Sequence, residues 1–216
     1  MRRSLDAWLP QKYTGFAMPT TSEHYVSLSH YDFLVVFIGI LVGLSVGKLV
    51  SFVGQLVSGR RLMHLSFAHS TYLLLIFFLQ VQYWWKLWDA KVIATVSFLA
   101  FLQLLTLPIL MYVATAVLCP EPLPEQTGFL ESYFSARAKA FYLVVILILV
   151  IGALQGIFFW NQPFQAAVIR GIAIFLILPG FFISRQVFHS FLAILLMALF
   201  FIYAYGSGHF SHTVAP

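Results

Sequence analysis

From Phe33 to Tyr205 the chain is one apolar run after another, and charge stands almost only where a run stops. Each run is about as long as a helix that crosses a hydrocarbon layer, roughly 20 residues. Six can be bounded: Phe33–Ser58, Leu65–Trp85, Val92–Leu118, Phe141–Trp160, Ala166–Ile183 and Val187–Tyr205. Backbone in lipid must satisfy its own hydrogen bonds, which leaves helices or a closed barrel. The runs are continuous and do not alternate in polarity, so they predict helices. Charged residues are 9% of the chain, against about 25% in a soluble domain, too few to coat a surface in water. The expected fold is all-α, a polytopic transmembrane bundle with six membrane-spanning helices.

The breaks define the organisation. Residues 1–30 are polar and turn-rich, with no apolar h-region, so they predict an extramembrane tail and not a cleaved signal peptide. Residues 31–205 form the transmembrane domain and 206–216 a short tail rich in glycine and histidine. Inside the domain, residues 119–139 read as one long acidic loop, because Pro120, Pro122 and Pro124 block helix continuation. "WWKLWDAK" (84–91) reads as an interfacial belt of indoles flanked by charge. Arg60, Arg61, Arg137, Lys139 and Arg185 share one side, and only Lys86 and Lys91 lie close to the membrane on the other. The positive-inside bias then places both termini outside and the acidic loop in the cytoplasm. Cys119 stands alone, which excludes an intramolecular disulfide and suits the reducing face. No basic run or face points to nucleic acid.

Within the first run, Gly39, Gly43 and Gly47 stand four apart, with Gly54 near the same face. Small residues at that spacing let a second helix approach closely in lipid, so they predict a packing face and a homo-oligomer through helix one. Beside it, Ser45, Lys48, Ser51 and Gln55 form a polar stripe at helical spacing. Lys48 lies roughly 18 Å along the axis from Arg60 and has two readings. Either its ammonium snorkels to the interface, or it faces the bundle interior, where an ionisable group marks function.

Helix two carries His69, Tyr72, Gln80 and Tyr83 on one side, and His189 starts helix six at similar depth. The two histidines suit a proton relay, or a haem or metal pair, or ordinary interfacial histidines bonded to backbone and lipid. Two ligands fall short of the usual zinc set. Gln80, Gln82, Gln155 and Gln103 add amides inside the spans, and Pro108 and Pro179-Gly180 predict kinks. Asp32 and Asp89 sit near the outer rim with Arg170, which either snorkels or joins them in an outer charged cluster. Serine-hydrolase, zinc-protease and nucleotide-loop motifs are missing, and no nucleophile–base pair can be named, so the sequence leans away from an enzyme.

At "HSTYLLLIFFLQVQYWWKLWD" the chain resembles a family of small, uncharacterised bacterial six-span integral membrane proteins. Their second span has an early histidine, an aliphatic run and then V-Q-aromatic-W-W, matched here by His69, Val81, Gln82, Tyr83, Trp84 and Trp85. The likeness extends over residues 31–205 and implies six spans in a bacterial inner membrane, but no activity. The long N-terminal tail departs from that pattern, as does Lys48, where the family often has an acidic or neutral residue. The polar groups at several depths point first to a small channel or transporter for an ion or small solute, whose interior would carry Lys48, Ser51, Gln55, His69, Tyr72, Gln80, Gln103 and His189. A non-catalytic partner subunit or scaffold of a membrane complex is the alternative, and a haem- or metal-binding redox protein the second. No cofactor is otherwise expected; the expected partners are the lipid bilayer and a membrane protein.

Overall fold

The computed structural model describes residues 30–58, 66–87, 97–121, 129–160 and 162–206. Among these, all regular structure is helical: α1 His30–Ser58, α2 Phe67–Lys86, α3 Phe98–Leu118, α4 Phe129–Phe158, α5 Phe164–Ile177 and α6 Gln186–Gly206. A 3-10 turn, Leu178–Phe181, extends α5. Below, the near end of the bundle is the one at which α1 starts, and the far end the one at which it stops.

The exterior is apolar. Phe164 is 82% exposed, Val187 80% and Phe182 87%, and every helix turns Phe, Leu, Ile or Val outward. Water would penalise that surface and hydrocarbon does not. Five helices, α1, α3, α4, α5 with its 3-10 turn and α6, are long and apolar enough to cross a membrane. The sixth, α2, spans 20 residues but is diluted by His69, Ser70, Thr71, Gln80, Gln82 and Lys86. It can carry these because it is packed against four helices, α1, α3, α4 and α6.

Helices α2, α3, α4, α5 and α6 close into a ring, each touching the next, and α1 lies outside it against α2 and α3. The side α1 buries is Leu34, Ile38, Val42, Ser45, Leu49, Phe52 and Leu56, spaced by three or four. The glycine ladder is on another side. A Cβ added at Gly39, Gly43, Gly47 or Gly54 would meet nothing within 4 Å, so these residues pack against no other helix among the described residues.

One boundary differs from expectation, and the two span prolines behave differently. Residues 129–139, assigned to the acidic loop, belong to α4. Past Pro124, Phe134, Ala138 and Phe141 recur at helical spacing and are buried, while Arg137 and Lys139 face outward. Helix α3 also runs unbroken through Pro108. Proline supplies no N–H to the carbonyl four residues back, here Leu104, and the Tyr83 hydroxyl donates to that oxygen at 2.6 Å instead. At the other proline the α-helix does give way, to the 3-10 turn that holds Pro179 and Gly180.

Candidate functional site

Polar groups inside the bundle gather at three depths. The middle set joins α1, α2 and α3: the Gln80 amide donates to Ser45 Oγ (2.8 Å) and Thr115 Oγ1 (2.9 Å), and these two hydroxyls are 2.9 Å apart. Thr115 donates on to the Met111 carbonyl at 3.0 Å. With Ser45 donating to Thr115, every hydrogen of the set is used, which suits fully buried groups. It fastens α1 to the ring and leaves Gln80 Oε1 without a partner.

The far set closes the ring. Ser66 caps α2 by accepting from the His69 backbone N–H. The His69 ring nitrogen Nε2 lies 2.8 Å from the Leu118 carbonyl; a carbonyl only accepts, so Nε2 carries the hydrogen. His189 Nδ1 is 2.6 Å from the Tyr142 hydroxyl, that hydroxyl 3.1 Å from Tyr72 Oη, and Tyr72 reaches the His189 carbonyl at 3.3 Å. One direction of donation satisfies all three contacts: Nδ1–H to Tyr142, Tyr142 to Tyr72, Tyr72 to the His189 carbonyl. Both histidine rings touch Phe134, His69 stacked on its face and His189 edge-on. Helices two and six therefore do meet, and the two histidines share one aromatic plug. No group of three or more metal-ligating side chains occurs among the described residues.

The near set surrounds a cavity of about 120 Å³ inside the ring. All five ring helices line it and α1 does not. Leu75, Leu107, Val145 and Leu196 wall its deep part; Gln82, Lys86, Gln155, Arg170 and Tyr203 stand toward the near end. Arg170 donates to Gln162 Oε1 (2.8 Å) and Tyr203 Oη (2.7 Å), and Lys86 donates to the same Tyr203 oxygen. Both cations also lie over the Tyr203 ring. Two glycines of α4 make room for this: a Cβ on Gly156 would lie 2.6 Å from Gln162 Oε1 and 2.9 Å from an Arg170 nitrogen, and Gly152 lies under the guanidinium. Two amide atoms at the cavity find no partner among the described residues. Gln155 is fully buried and gives its NH₂ to the Gln103 carbonyl, which leaves Oε1 as an orphan acceptor. Gln82 Nε2 is an orphan donor.

Several expected placements are revised. Lys48 is not an interior group: its ammonium pairs with Glu121, just past the end of α3, at 3.0 Å. Ser51 and Gln55 are exposed and face each other on α1. Both outcomes follow from α1 lying outside the ring. His69, Tyr72, Gln80 and His189 are buried in the bundle, while Gln103 contributes its backbone carbonyl. The hydrogen bonds of Arg170 run to Gln162 and Tyr203 and not to Asp32, and Asp89 lies outside the described residues. Tyr142, Tyr203, Gln162, Thr115 and Gly156 were not singled out from sequence. Tyrosine and threonine are ordinary in such helices, and only the paired amides Gln82 and Gln155 gave a hint. Searches against protein-family models, curated proteins and solved structures returned no match.

Proposed function

We propose that this chain is a six-span protein of the bacterial inner membrane and a transporter that takes a small solute into the ring from the near end. The single observation behind this is the cavity itself, bounded by five helices, polar at the near end and holding two buried amide atoms without partners. Buried polar atoms are almost always satisfied, and orphans that line one void are what a solute with its own donors and acceptors would complete. The far end is shut by the aromatic plug, where Tyr72, Tyr142 and His189 bond α2, α4 and α6 together. A cavity that is polar toward one end and latched at the other fits one state of an alternating-access cycle. A pore open at both ends is not what this arrangement supports. The count of six takes α2 as a span, sheltered by the other helices, and the inner-membrane location follows the resemblance given above. The distribution of Lys and Arg then turns the near end outward.

Reconstitution into proteoliposomes tests the proposal. Flux of a small ion or organic solute is expected, with loss in Arg170→Gln and a changed rate in Tyr142→Phe, which unlatches the plug. Absence of flux across protons, common ions and small organic anions sinks it.

One observation favours a second reading, a partner subunit or homo-oligomer. Among the described residues, the ladder Gly39, Gly43, Gly47 and Gly54 meets no other helix and lies beside the Lys48–Glu121 pair. Native mass spectrometry of the protein and of Gly43→Leu distinguishes the two: an oligomer dispersed by the leucine supports it, and a monomer in both rejects it.

A further inference from the structure

The cavity's shape and chemistry say what class of solute it takes. Its lining on α2 runs from Leu75 to Lys86, roughly 16 Å at the rise of a helix. The cavity of about 120 Å³ is lined along that length. An elongated lining of this kind suits an extended hydrocarbon chain. Polarity changes along it in one direction. Leu75, Leu107, Val145 and Leu196 line the depth, while Gln82, Gln155, Arg170 and Tyr203 line the near end.

Arg170 is the group that sets the charge of the head. Among the described residues no carboxylate bonds to it; its hydrogen bonds go to the neutral oxygens of Gln162 and Tyr203. A guanidinium held in a low-dielectric site by neutral acceptors favours an anion beside it. The Gln82 Nε2 donor lines the same cavity and suits an acidic head. The Gln155 Oε1 acceptor suits a hydroxyl, an amide or a water carried with the head.

We infer that the ring cavity binds a single-chain anionic amphiphile, with its acidic head at Arg170 and Gln82 and its hydrocarbon tail directed toward Leu75 and Leu107. This rests on the cavity being a solute site, as proposed above, and names the solute. A free fatty acid and an acyl chain of an anionic phospholipid offer the same chemistry, and the test separates them.

The full chain is placed in phosphatidylcholine nanodiscs and titrated with dodecanoate brominated beside the carboxylate. Trp160 lines the cavity and reports binding by quenching. Saturable quenching is expected, removed by Trp160→Phe, and weaker when the bromine sits at the tail tip. Loss of one charge-assisted contact in Arg170→Gln should weaken binding by about tenfold, with recovery in Arg170→Lys. Ala173→Phe, which fills the apolar part and leaves the head groups in place, should abolish it. Equal quenching by the methyl ester, or quenching that rises without saturation and ignores every variant, overturns the inference. Nanodiscs of phosphatidylglycerol decide the source. Suppressed dodecanoate binding there identifies a lipid chain as occupant, and undiminished binding identifies the free acid. Binding without flux would sink the transport proposal alone, while flux of a different solute without binding would sink only this inference.

Discussion

The hydroxyl of Tyr83 stands in for the hydrogen bond that Pro108 cannot make, and this can be tested as a coupling. Tyr83 is 5% exposed and donates to Leu104 O at 2.6 Å. Tyr83→Phe keeps the ring, so it opens no packing void; it removes only the donor. A buried carbonyl left unsatisfied costs about 1–3 kcal/mol in proteins generally. Hydrogen bonds between membrane helices are worth less, about 0.6 kcal/mol on average and about 1.7 at most, because the separated helices find other partners. A carbonyl freed by proline has no helical donor in either state, so the expected loss lies toward the upper membrane figure, about 1–1.5 kcal/mol. In Pro108→Ala the helix regains its own donor to Leu104, and Tyr83→Phe should then cost less than about 0.5 kcal/mol. The assay is reversible unfolding of the four proteins of the cycle by dodecyl sulfate in mixed micelles, followed by far-ultraviolet circular dichroism. A coupling energy near zero, with Tyr83→Phe costing the same in both backgrounds, refutes the assignment. So does the absence of any cost in the native background.

Gly156→Ala places a Cβ 2.6 Å from Gln162 Oε1; it should displace Gln162 and Arg170 and lower stability by about 1–3 kcal/mol, read in the same unfolding assay. Gly180→Ala meets the Tyr142 ring at 2.7 Å and should disturb the Tyr142–His189 bond at the far end, seen as a shift of the His189 ring signals in NMR. The partly exposed Lys48–Glu121 pair should be worth less than about 1 kcal/mol and fade with salt, so Glu121→Gln should barely move the unfolding midpoint. Burial pushes the Cys119 thiol up from 9.0 to about 12. Maleimide labelling of the folded protein at pH 8 should therefore run up to about a thousandfold slower than in denaturant, on thiolate fraction alone. Because the folded state holds this proton more tightly, stability should be unaffected below pH about 9 and fall as pH rises from there toward 12.

The class of molecule was legible in the chain because hydrocarbon selects on average polarity, which any window of residues reports. Run lengths follow from it with little tertiary knowledge. Which way each helix turns did not follow. In water the apolar stripe of a helix marks its buried side. In lipid both sides are apolar, and that contrast is gone. The glycine ladder and the stripe Lys48, Ser51 and Gln55 were read as packing and interior surfaces on spacing alone, yet α1 buries Leu34, Ile38, Ser45 and Phe52 and lies outside the ring. The partner of Lys48 lies 73 positions on, in the segment after α3, from the subtraction of 48 from 121. The cation site at Tyr203 likewise draws on α2, α5, α6 and the turn before α5, with room made by a glycine of α4. Residue polarity alone marks a chain that folds in hydrocarbon and roughly which runs are helical, but not that α4 begins at Phe129. Which five helices enclose a cavity, and which polar atoms meet inside it, emerges only from the packed bundle, because helix rotation is set by neighbours and not by the solvent.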